Sequence, residues 1–279
     1  MKRVASIQDI SCLGRCSLTV ALPVLSVMGV ECAVIPTAVL STHTIFPDFT
    51  CRDLTDELLP IARHWKSQQV HLDAIASGYL ASPRQTEAVC RVFDMLRGAD
   101  TLIVVDPAMA DHGRLYKPFA PDFPRYMKKV CTRADVLLPN LIEACLLTDT
   151  PYREDPDEAF VQVLLQKLSH LAPRVVLTGV SFDDDRLGAM SYDRTTGRYF
   201  AYYNEKVHAG FHGTGDIFTA TVLGAMMQGR TLEQAVTLAV DFTLECIRCT
   251  CADPAASWYG VEFEKALPWL ARQNNAGAE

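Results

Sequence analysis

The stretch FHGTGDIFTA, residues 211–220, places two glycines, a threonine and a carboxylate directly before an apolar helical sequence. A Gly-Thr-Gly turn that enters a helix directs several backbone N–H groups to one point, and those donors have no partner within the helix. The helix dipole adds positive potential there, so the turn suits a phosphate or a developing oxyanion. We therefore interpret Gly213, Thr214 and Gly215 as a candidate anion hole.

Asp216 follows this turn and lies in the first turn of the predicted helix. If a γ-phosphoryl group occupied the anion hole, the Asp216 carboxylate could orient and deprotonate an attacking hydroxyl. The base need not be strong, because positioning and charge stabilisation dominate phosphoryl transfer through a loose transition state. A plain capping role for Asp216 is the alternative that the motif leaves open. The sequence contains no GxxxxGK[ST] motif, which excludes a P-loop nucleotide enzyme.

The elements that must position these residues alternate between short apolar runs and helix-length segments. This alternation predicts an α/β fold with a mainly parallel central sheet and helices on both faces. The segments GAMSYD and RYFAYYN, separated by RTTG, predict a small antiparallel hairpin at the sheet edge. The sequence shows no linker or repeat. We predict one domain over residues 1–279, with a frayed tail after residue 272.

Polar residues follow most of the predicted strands. In open α/β sheets, ligands bind at the carboxyl ends of the strands. The sequence places at these ends Asp9, the segment STHT (residues 41–44), Tyr79, Asp106, Asn140 and Thr178. Turns are often polar for structural reasons alone, so it is the clustering, rather than any single position, that indicates a ligand site.

Composition limits the class of partner. The chain is 49% hydrophobic and carries a net charge of -7, which is typical of a globular protein and disfavours nucleic acid or an acidic membrane as partner. No apolar run reaches the length of a membrane span, and the first residues do not resemble a secretory signal. We therefore expect a cytoplasmic protein whose ten cysteines are reduced.

Four segments together resemble the pyridoxal kinase family of the ribokinase superfamily: GTGDIFTA, VVDPAMAD, ADVLLPNLIEA and ASGYL. SIQ near the start, Pro23 and STHT extend the resemblance from about Val4 to about Thr250. It implies a ribokinase-like fold and ATP-dependent phosphorylation of the 5′-hydroxymethyl group of pyridoxal, pyridoxine or pyridoxamine. It also implies a divalent cation such as Mg²⁺ and a homodimer, and it leaves a monovalent cation open.

The resemblance also implies roles for individual residues. The catalytic group would be Asp216 with Gly213, Thr214 and Gly215. Nucleotide contacts would come from Asp106, Tyr116, Asn140 and Thr178. Metal contacts would come from Asp106, Asp111 and Glu143. Asn140 and Glu143 could equally form a helix cap. Substrate contacts would come from Asp9, His43, Thr44 and Tyr79, although a rim histidine such as His43 often has a structural role.

The sequence departs from the family at Asp9, where a serine is common. An acid at this position favours a protonated ring nitrogen or an aminomethyl group, so the substrate could be pyridoxamine, pyridoxine or a hydroxymethylpyrimidine. Two alternatives to a pyridoxal kinase stay open: another small-alcohol kinase of the same fold, and a non-catalytic vitamer-binding protein. Cys12 and Cys16 are candidate reactive cysteines, and CIRCTC (residues 246–251) is interpreted as buried helix rather than a zinc site.

Overall fold

The computed structural model describes the backbone of residues 1–276 and the side chains up to residue 274. Its strands are β1 (Arg3–Leu13), β2 (Glu31–Thr42), β3 (Cys51–Asp53), β4 (Ala74–Ser77), β5 (Leu102–Val105), β6 (Ala110–Asp111), β7 (Arg114–Leu115), β8 (Val136–Leu137), β9 (Arg174–Val180), β10 (Arg186–Asp193) and β11 (Arg198–Glu205). Its helices are α1 (Leu18–Val27), α2 (Thr55–Ser67), α3 (Pro83–Leu96), α4 (Phe123–Cys131), α5 (Leu141–Leu147), α6 (Glu158–Leu168), α7 (Thr214–Met227), α8 (Leu232–Cys251) and α9 (Phe263–Ala276).

A nine-stranded sheet in the order β11-β10-β9-β8-β5-β4-β1-β2-β3 forms the centre. The six strands from β9 to β2 in this order are parallel to one another, and antiparallel strands extend the sheet at both edges. Strands β10 and β11 form the predicted edge hairpin, and β6 and β7 form a separate antiparallel pair. The predicted fold class is confirmed.

Two apolar layers cover the sheet. One cluster of buried residues joins α2 to α6 with one face of the sheet, and it includes Leu58, Phe93 and Leu164. The other joins α1, α7, α8 and α9 with the opposite face, and it includes Val24, Phe242 and Leu270. The near-continuous apolar sequences of the central strands fit burial on both faces. Within the described residues, no helix is both long and apolar enough to span a membrane.

Local sequence signals explain several helix ends. Ser82 caps α3 by accepting a hydrogen bond from the Gln85 N–H, and Pro83 follows at the first helical position, as the sequence predicts. Gly29 ends the first helical segment with φ of 74°, a conformation that favours glycine. The segment CIRCTC lies in the last turns of α8, as expected, but of its three cysteines only Cys246 is buried and Cys251 is exposed.

The structure changes some predicted boundaries. Asp9 does not follow the first strand, because pairing with β2 resumes after a bulge between Gln8 and Ile10 and continues to Leu13. Thr178 likewise lies within β9, where it pairs with Ala189. The short strands β3, β6 and β7 were not predicted. Helix α9 continues to Ala276, past the predicted start of fraying, and the rest of the predicted tail lies outside the described residues.

Candidate active site

The amino end of α7 carries the predicted anion hole. Gly213 precedes the helix with φ of 85°, and a Cβ atom there would lie 1.9 Å from the carbonyl oxygen of Arg15. Gly215 is different, because the nearest atom to a Cβ there would be an Asp106 carboxylate oxygen at 4.0 Å. The loop before α1 therefore packs on Gly213, whereas Gly215 is exposed and leaves the helix end open toward Asp106.

Asp216 lies half-buried in the first turn of α7. Loss of water around the carboxylate, with a smaller contribution from the charges of Asp106 and Asp9, raises the pKa of Asp216 to about 7. The backbone N–H of Ser17 opposes this effect because it interacts with the ionised carboxylate. A carboxyl group with a pKa near neutrality is suited to accept a proton from an attacking alcohol.

Asp106 directly follows β5 at the carboxyl edge of the sheet. The Thr219 hydroxyl of α7 donates a hydrogen bond of 3.0 Å to its Oδ2 atom. Burial outweighs the opposing hydrogen bonds from the Thr219 hydroxyl and the Ala108 N–H and raises the pKa of Asp106 to about 6. Asp106 and Asp216 therefore face one region from two elements, as the sequence predicts.

Asn140 and Glu143 form a capping box at the start of α5. The Asn140 side chain accepts from the Glu143 N–H at 3.0 Å, and Glu143 Oε2 accepts from the Asn140 N–H at 2.9 Å. Glu143 is 2% exposed, and its Oε1 also accepts from the N–H groups of Met109 and Ala110. Burial, followed by the charge of Asp106, raises the pKa of Glu143 well above its usual range. The capping alternative is confirmed, and direct metal contact by Glu143 stays a prediction.

A cavity of about 280 Å³ lies beside this capping box. Its walls contain three of the predicted residues, Asp111, Asn140 and Thr178. The Thr178 N–H donates to the Pro139 carbonyl at 3.0 Å, which fixes β9 beside Asn140. Of the described residues, those of the anion hole, Asp106 and Asp216 are not in the walls, so the cavity is separate from the helix end.

Lys206 and Ser181 also line this cavity, and sequence reasoning missed both. Lys206 directly follows β11, and its backbone N–H donates to the Asp185 carbonyl at 2.8 Å. A lysine after an edge strand gives no signal in the sequence, because only the fold brings the end of β11 to the cavity that Asn140 and Thr178 line. Lys206 places a positive charge where a phosphate chain could bind.

Aromatic residues form the side of the site next to β4. The ring of Tyr79 lies 6.3 Å from that of Tyr116 and 5.6 Å from that of Phe119. Burial raises the pKa of Tyr79 to about 12, and the charges of Asp9 and Cys51 contribute. Burial also raises the pKa of Tyr116, with Glu143 as the largest charged contributor. Tyr79 therefore lies near Asp9, and Tyr116 is the member of the aromatic group that lies near Glu143.

His43 is buried, whereas its neighbour Thr44 is exposed. The His43 Nδ1 atom accepts from the Ile45 N–H at 3.3 Å, so its Nε2–H donates to the Tyr259 carbonyl at 2.8 Å. Burial lowers the pKa of His43, which favours the neutral ring. The ring stacks on His212 with centroids 5.2 Å apart. These contacts support the structural alternative for His43, and the substrate contacts of both residues stay predictions.

Asp9 is 4% exposed and uses both carboxylate oxygens within the protein. The Ser17 hydroxyl donates to Oδ1 at 2.6 Å, and the Ser11 hydroxyl donates to Oδ2 at 2.9 Å. Burial raises the pKa of Asp9, while the two serine hydroxyls lower it. Ser17 has φ of 51° and ψ of -132°, a conformation that costs a non-glycine residue about 1–3 kcal/mol. Sequence reasoning missed Ser11 and Ser17.

Comparison with known proteins gives consistent results. The model of the phosphomethylpyrimidine kinase family matches residues 23–256. A pyridoxal kinase of Arabidopsis thaliana is 28% identical over 92% of this chain and 85% of the relative. A solved structure from Bacteroides thetaiotaomicron, assigned as a phosphomethylpyrimidine kinase and obtained with pyridoxal, is 39% identical, with a TM-score of 0.92 and coverage of 96% of this chain and 95% of that one.

The solved pyridoxal kinase of Lactobacillus plantarum is 29% identical, with a TM-score of 0.90 and coverage of 99% of both chains. In each of these comparisons the match covers most of both chains, so the similarity extends over the whole fold rather than one motif. The resemblance that the sequence motifs indicate is confirmed.

Proposed function

Because this chain belongs to the phosphomethylpyrimidine kinase family, we propose that it is an ATP-dependent kinase that phosphorylates the 5′-hydroxymethyl group of pyridoxal, pyridoxine or pyridoxamine. Two of the similar proteins are pyridoxal kinases, and a third was obtained with pyridoxal. A role in the salvage of pyridoxal phosphate follows from this activity.

The observation that carries the proposal is the open amino end of α7 between Asp216 and Asp106. Gly215 lacks a side chain on the side that faces Asp106, so a phosphoryl group can approach the backbone N–H groups of the first turn. Asp216 lies in the same turn with a pKa of about 7. An anion site and a base are thus held together by one helix.

In the proposed reaction, the hydroxyl of the vitamer attacks the γ-phosphorus of ATP in line with the leaving ADP. Asp216 orients the hydroxyl and accepts its proton as the new O–P bond forms and the bond to the β-phosphate oxygen breaks. The N–H groups of Thr214, Gly215 and Asp216 stabilise the negative charge on the transferred group. ATP would extend from this point to the cavity that Asn140, Thr178 and Lys206 line.

The acidic residues fit a divalent cation that the nucleotide brings with it. The charge of Asp106 raises the pKa of Asp216, and a divalent cation held by Asp106 would relieve that repulsion. The described residues contain no group of three or more His, Cys, Asp or Glu that could hold a metal alone, which suits Mg²⁺ because it keeps several waters and phosphate ligands. Asp106 and Asp111 would hold Mg²⁺, which would neutralise phosphate charge when bound.

A hydroxymethylpyrimidine is the second candidate substrate. The matching family model and the Bacteroides thetaiotaomicron structure both refer to phosphomethylpyrimidine kinases. The two ring systems share an aromatic nitrogen and a hydroxymethyl group, so an aromatic site beside Tyr79 could accept either one.

A substrate panel tests the proposal. The purified protein is incubated with ATP, Mg²⁺ and, in turn, pyridoxal, pyridoxine, pyridoxamine, hydroxymethylpyrimidine or ribose, and both ADP release and product mass are measured. We expect the three vitamers to be phosphorylated with the highest kcat/KM. Phosphorylation of hydroxymethylpyrimidine alone would support the second candidate, whereas vitamer binding without ADP release would support a binding protein.

The homodimer, the cytoplasmic location and the single domain that the sequence predicts belong to the same proposal. A monovalent-cation requirement also stays open. Sedimentation of the purified protein would test the dimer. Assays in Na⁺, K⁺ and choline salts at equal ionic strength would test the requirement for a monovalent cation.

A further inference from the structure

We propose that Asp9 is a positioning residue, which acts on Asp216 through Ser17 rather than by contact with the vitamer. This inference rests on the proposed kinase function and refines the part of the site around Asp216. It concerns a buried carboxylate and a strained backbone residue that the proposed mechanism does not use. The inference follows from where the two serine hydroxyls, the Ser17 backbone and the start of α7 lie.

Asp9 is directed into the protein rather than toward a ligand. The carboxylate is almost completely buried, and each of its oxygens already accepts one hydroxyl hydrogen bond. Ser11 lies on β1 together with Asp9, whereas Ser17 lies at the end of the segment that joins β1 to α1. Asp9 therefore holds this segment through Ser17, and the 2.6 Å bond from Ser17 is the shorter of the two.

Ser17 needs this support because of its backbone conformation. Its φ of 51° with ψ of -132° is readily adopted by glycine and disfavoured for residues that have a Cβ atom. Ser17 also begins α1 without any side-chain cap, since its hydroxyl is used by Asp9 instead. The hydrogen bond to Asp9 thus offsets the free-energy cost of this backbone conformation and holds Ser17 in it.

The strained conformation has a consequence at α7. The backbone of Arg15 packs against Gly213, so the segment before α1 lies directly on the start of α7. In this arrangement the side chain of Ser17 faces Asp9, while its backbone N–H is directed to the region of the Asp216 carboxylate and lowers the pKa of that group. One residue therefore links the two acids, and Asp9 fixes the donor that orients Asp216.

The test compares Asp9→Ala, Ser17→Ala, Ser17→Gly and the double variant Asp9→Ala with Ser17→Gly in the full-length protein. Glycine accepts the backbone conformation without the hydroxyl bond, so it should remove the need for Asp9. We expect Asp9→Ala and Ser17→Ala to lower kcat at least tenfold with the KM for the vitamer changed less than threefold. Ser17→Gly should stay within threefold of wild-type kcat, and the double variant should recover most of the activity that Asp9→Ala loses.

Removal of the Asp9 charge by itself would ease ionisation of Asp216, so a lower kcat in Asp9→Ala reports lost positioning rather than lost charge. A raised KM in Asp9→Ala with no recovery in the double variant would show that Asp9 contacts the substrate and would overturn the inference. If circular dichroism shows that Asp9→Ala does not fold, the test depends on Ser17→Ala and Ser17→Gly alone. Equal kcat values in these two variants would then overturn the inference.

A second readout does not depend on turnover. The amide proton of residue 17 can be followed by NMR in uniformly labelled protein. We expect it to lie downfield in the wild type, to move upfield in Asp9→Ala and to return in the double variant. An inactive wild type in the substrate panel would contradict the proposed kinase, whereas an unmoved amide resonance in Asp9→Ala would contradict the role of Asp9.

Discussion

Four carboxyl groups, two of them buried and two half-buried, lie around the candidate site, and their environments differ. Asp9 accepts from two serine hydroxyls, and Glu143 accepts from three backbone N–H groups. Asp106 accepts a hydroxyl of α7, whereas Asp216 lies at the open helix end. Burial raises the pKa of all four, so the environment at each position decides which acid can exchange a proton with substrate.

Replacement of Asp216 by asparagine tests the base. Asp216→Asn keeps the size of the side chain and removes its ability to accept a proton, so we expect kcat to fall at least ~10²-fold while vitamer affinity stays within threefold. Steady-state kinetics and calorimetric titration measure the two quantities. The matched control is Asp100→Asn, which should keep full activity. Asp100 is exposed and lies before β5, at the end of the strands opposite to the candidate site. Wild-type turnover in Asp216→Asn would contradict the assigned role.

The raised pKa of Asp216 also predicts a change of stability with pH. The folded protein keeps this proton up to about pH 7, whereas the unfolded chain loses it near the ordinary value of 3.8. The folded state therefore binds more protons between these values, so the contribution of Asp216 to stability falls as pH rises through that window. We expect Asp216→Asn to melt at least about 2 °C above wild type at pH 8.

Melting curves across pH 4–8 measure this difference. The difference in melting temperature should shrink toward pH 4, where Asp216 of the folded wild type is protonated and therefore uncharged, like asparagine. Asp9 and Asp106 are present in both proteins, so the difference between the two curves isolates Asp216. A difference that stayed constant with pH would show that Asp216 does not titrate in this range.

Lys206 provides a test of the nucleotide cavity. Lys206→Ala removes a positive charge from its wall, so we expect the KM for ATP to rise roughly tenfold or more, in line with a lost charged hydrogen bond. The KM for the vitamer should stay unchanged, because the aromatic group beside Tyr79 lies on other elements. Lys167→Ala on α6, whose ammonium group contacts the Thr150 hydroxyl, is the control. Equal effects on both KM values would contradict this placement.

At the scale of elements, the contact between the α1 segment and the start of α7 organises the site. Gly213 allows the Arg15 carbonyl to approach, and Ser17 is held between Asp9 and Asp216. Helix α5 fixes the other side, since its capping box also holds the Met109 and Ala110 N–H groups. Two helix starts, each joined to a neighbouring loop, therefore frame the region where phosphate would bind.

The two glycines of the proposed anion hole should respond differently to alanine. Gly213→Ala places a methyl group against the Arg15 carbonyl in a left-handed conformation, so we expect a loss of about 2–4 kcal/mol in the free energy of unfolding. Gly215→Ala meets no close atom and lies within α7, so stability should change by less than about 1 kcal/mol.

Denaturant titration measures both stabilities, and steady-state kinetics separates structure from function. Gly215→Ala should lower kcat/KM for ATP about tenfold or more despite its intact fold, because the methyl group occupies the approach to the N–H donors. If Gly215→Ala kept full activity, the phosphate would have to bind elsewhere.

At the scale of the whole molecule, one sheet separates two apolar layers. The first layer packs α2 to α6 and the second packs α1 and α7 to α9, and the central strands contribute side chains to both. Neither layer has a core of its own without the sheet. We therefore expect the two layers to unfold together.

Matched substitutions test this cooperativity. Phe93 and Phe242 are fully buried in the first and second layers, so Phe93→Ala and Phe242→Ala should each cost about 3–5 kcal/mol. Each variant should still show a single transition that coincides by circular dichroism and tryptophan fluorescence. Two separated transitions in either variant would mean that the layers are independent units, contrary to the predicted single domain.

Local pattern explains much of what the sequence predicts correctly. Alternating apolar and helical segments indicate the α/β class, RTTG marks the edge hairpin, and the caps at Ser82 and Asn140 follow from short-range hydrogen bonds. Strand ends were predicted less well, because β1 continues past Asp9 only through its pairing with β2. The pairing partner lies more than twenty residues away and leaves no trace in the local pattern.

By itself, the sequence determined the fold class, the family resemblance and the glycine-rich start of α7, since each depends on neighbours in the chain. Only the tertiary structure decided that Asp9 is enclosed by Ser11 and Ser17, that Lys206 reaches the cavity of Asn140, and that Asp106 lies against α7. The physical reason is that burial and charge act through space. A carboxylate acquires its pKa and its partners from segments that meet only when the sheet has formed.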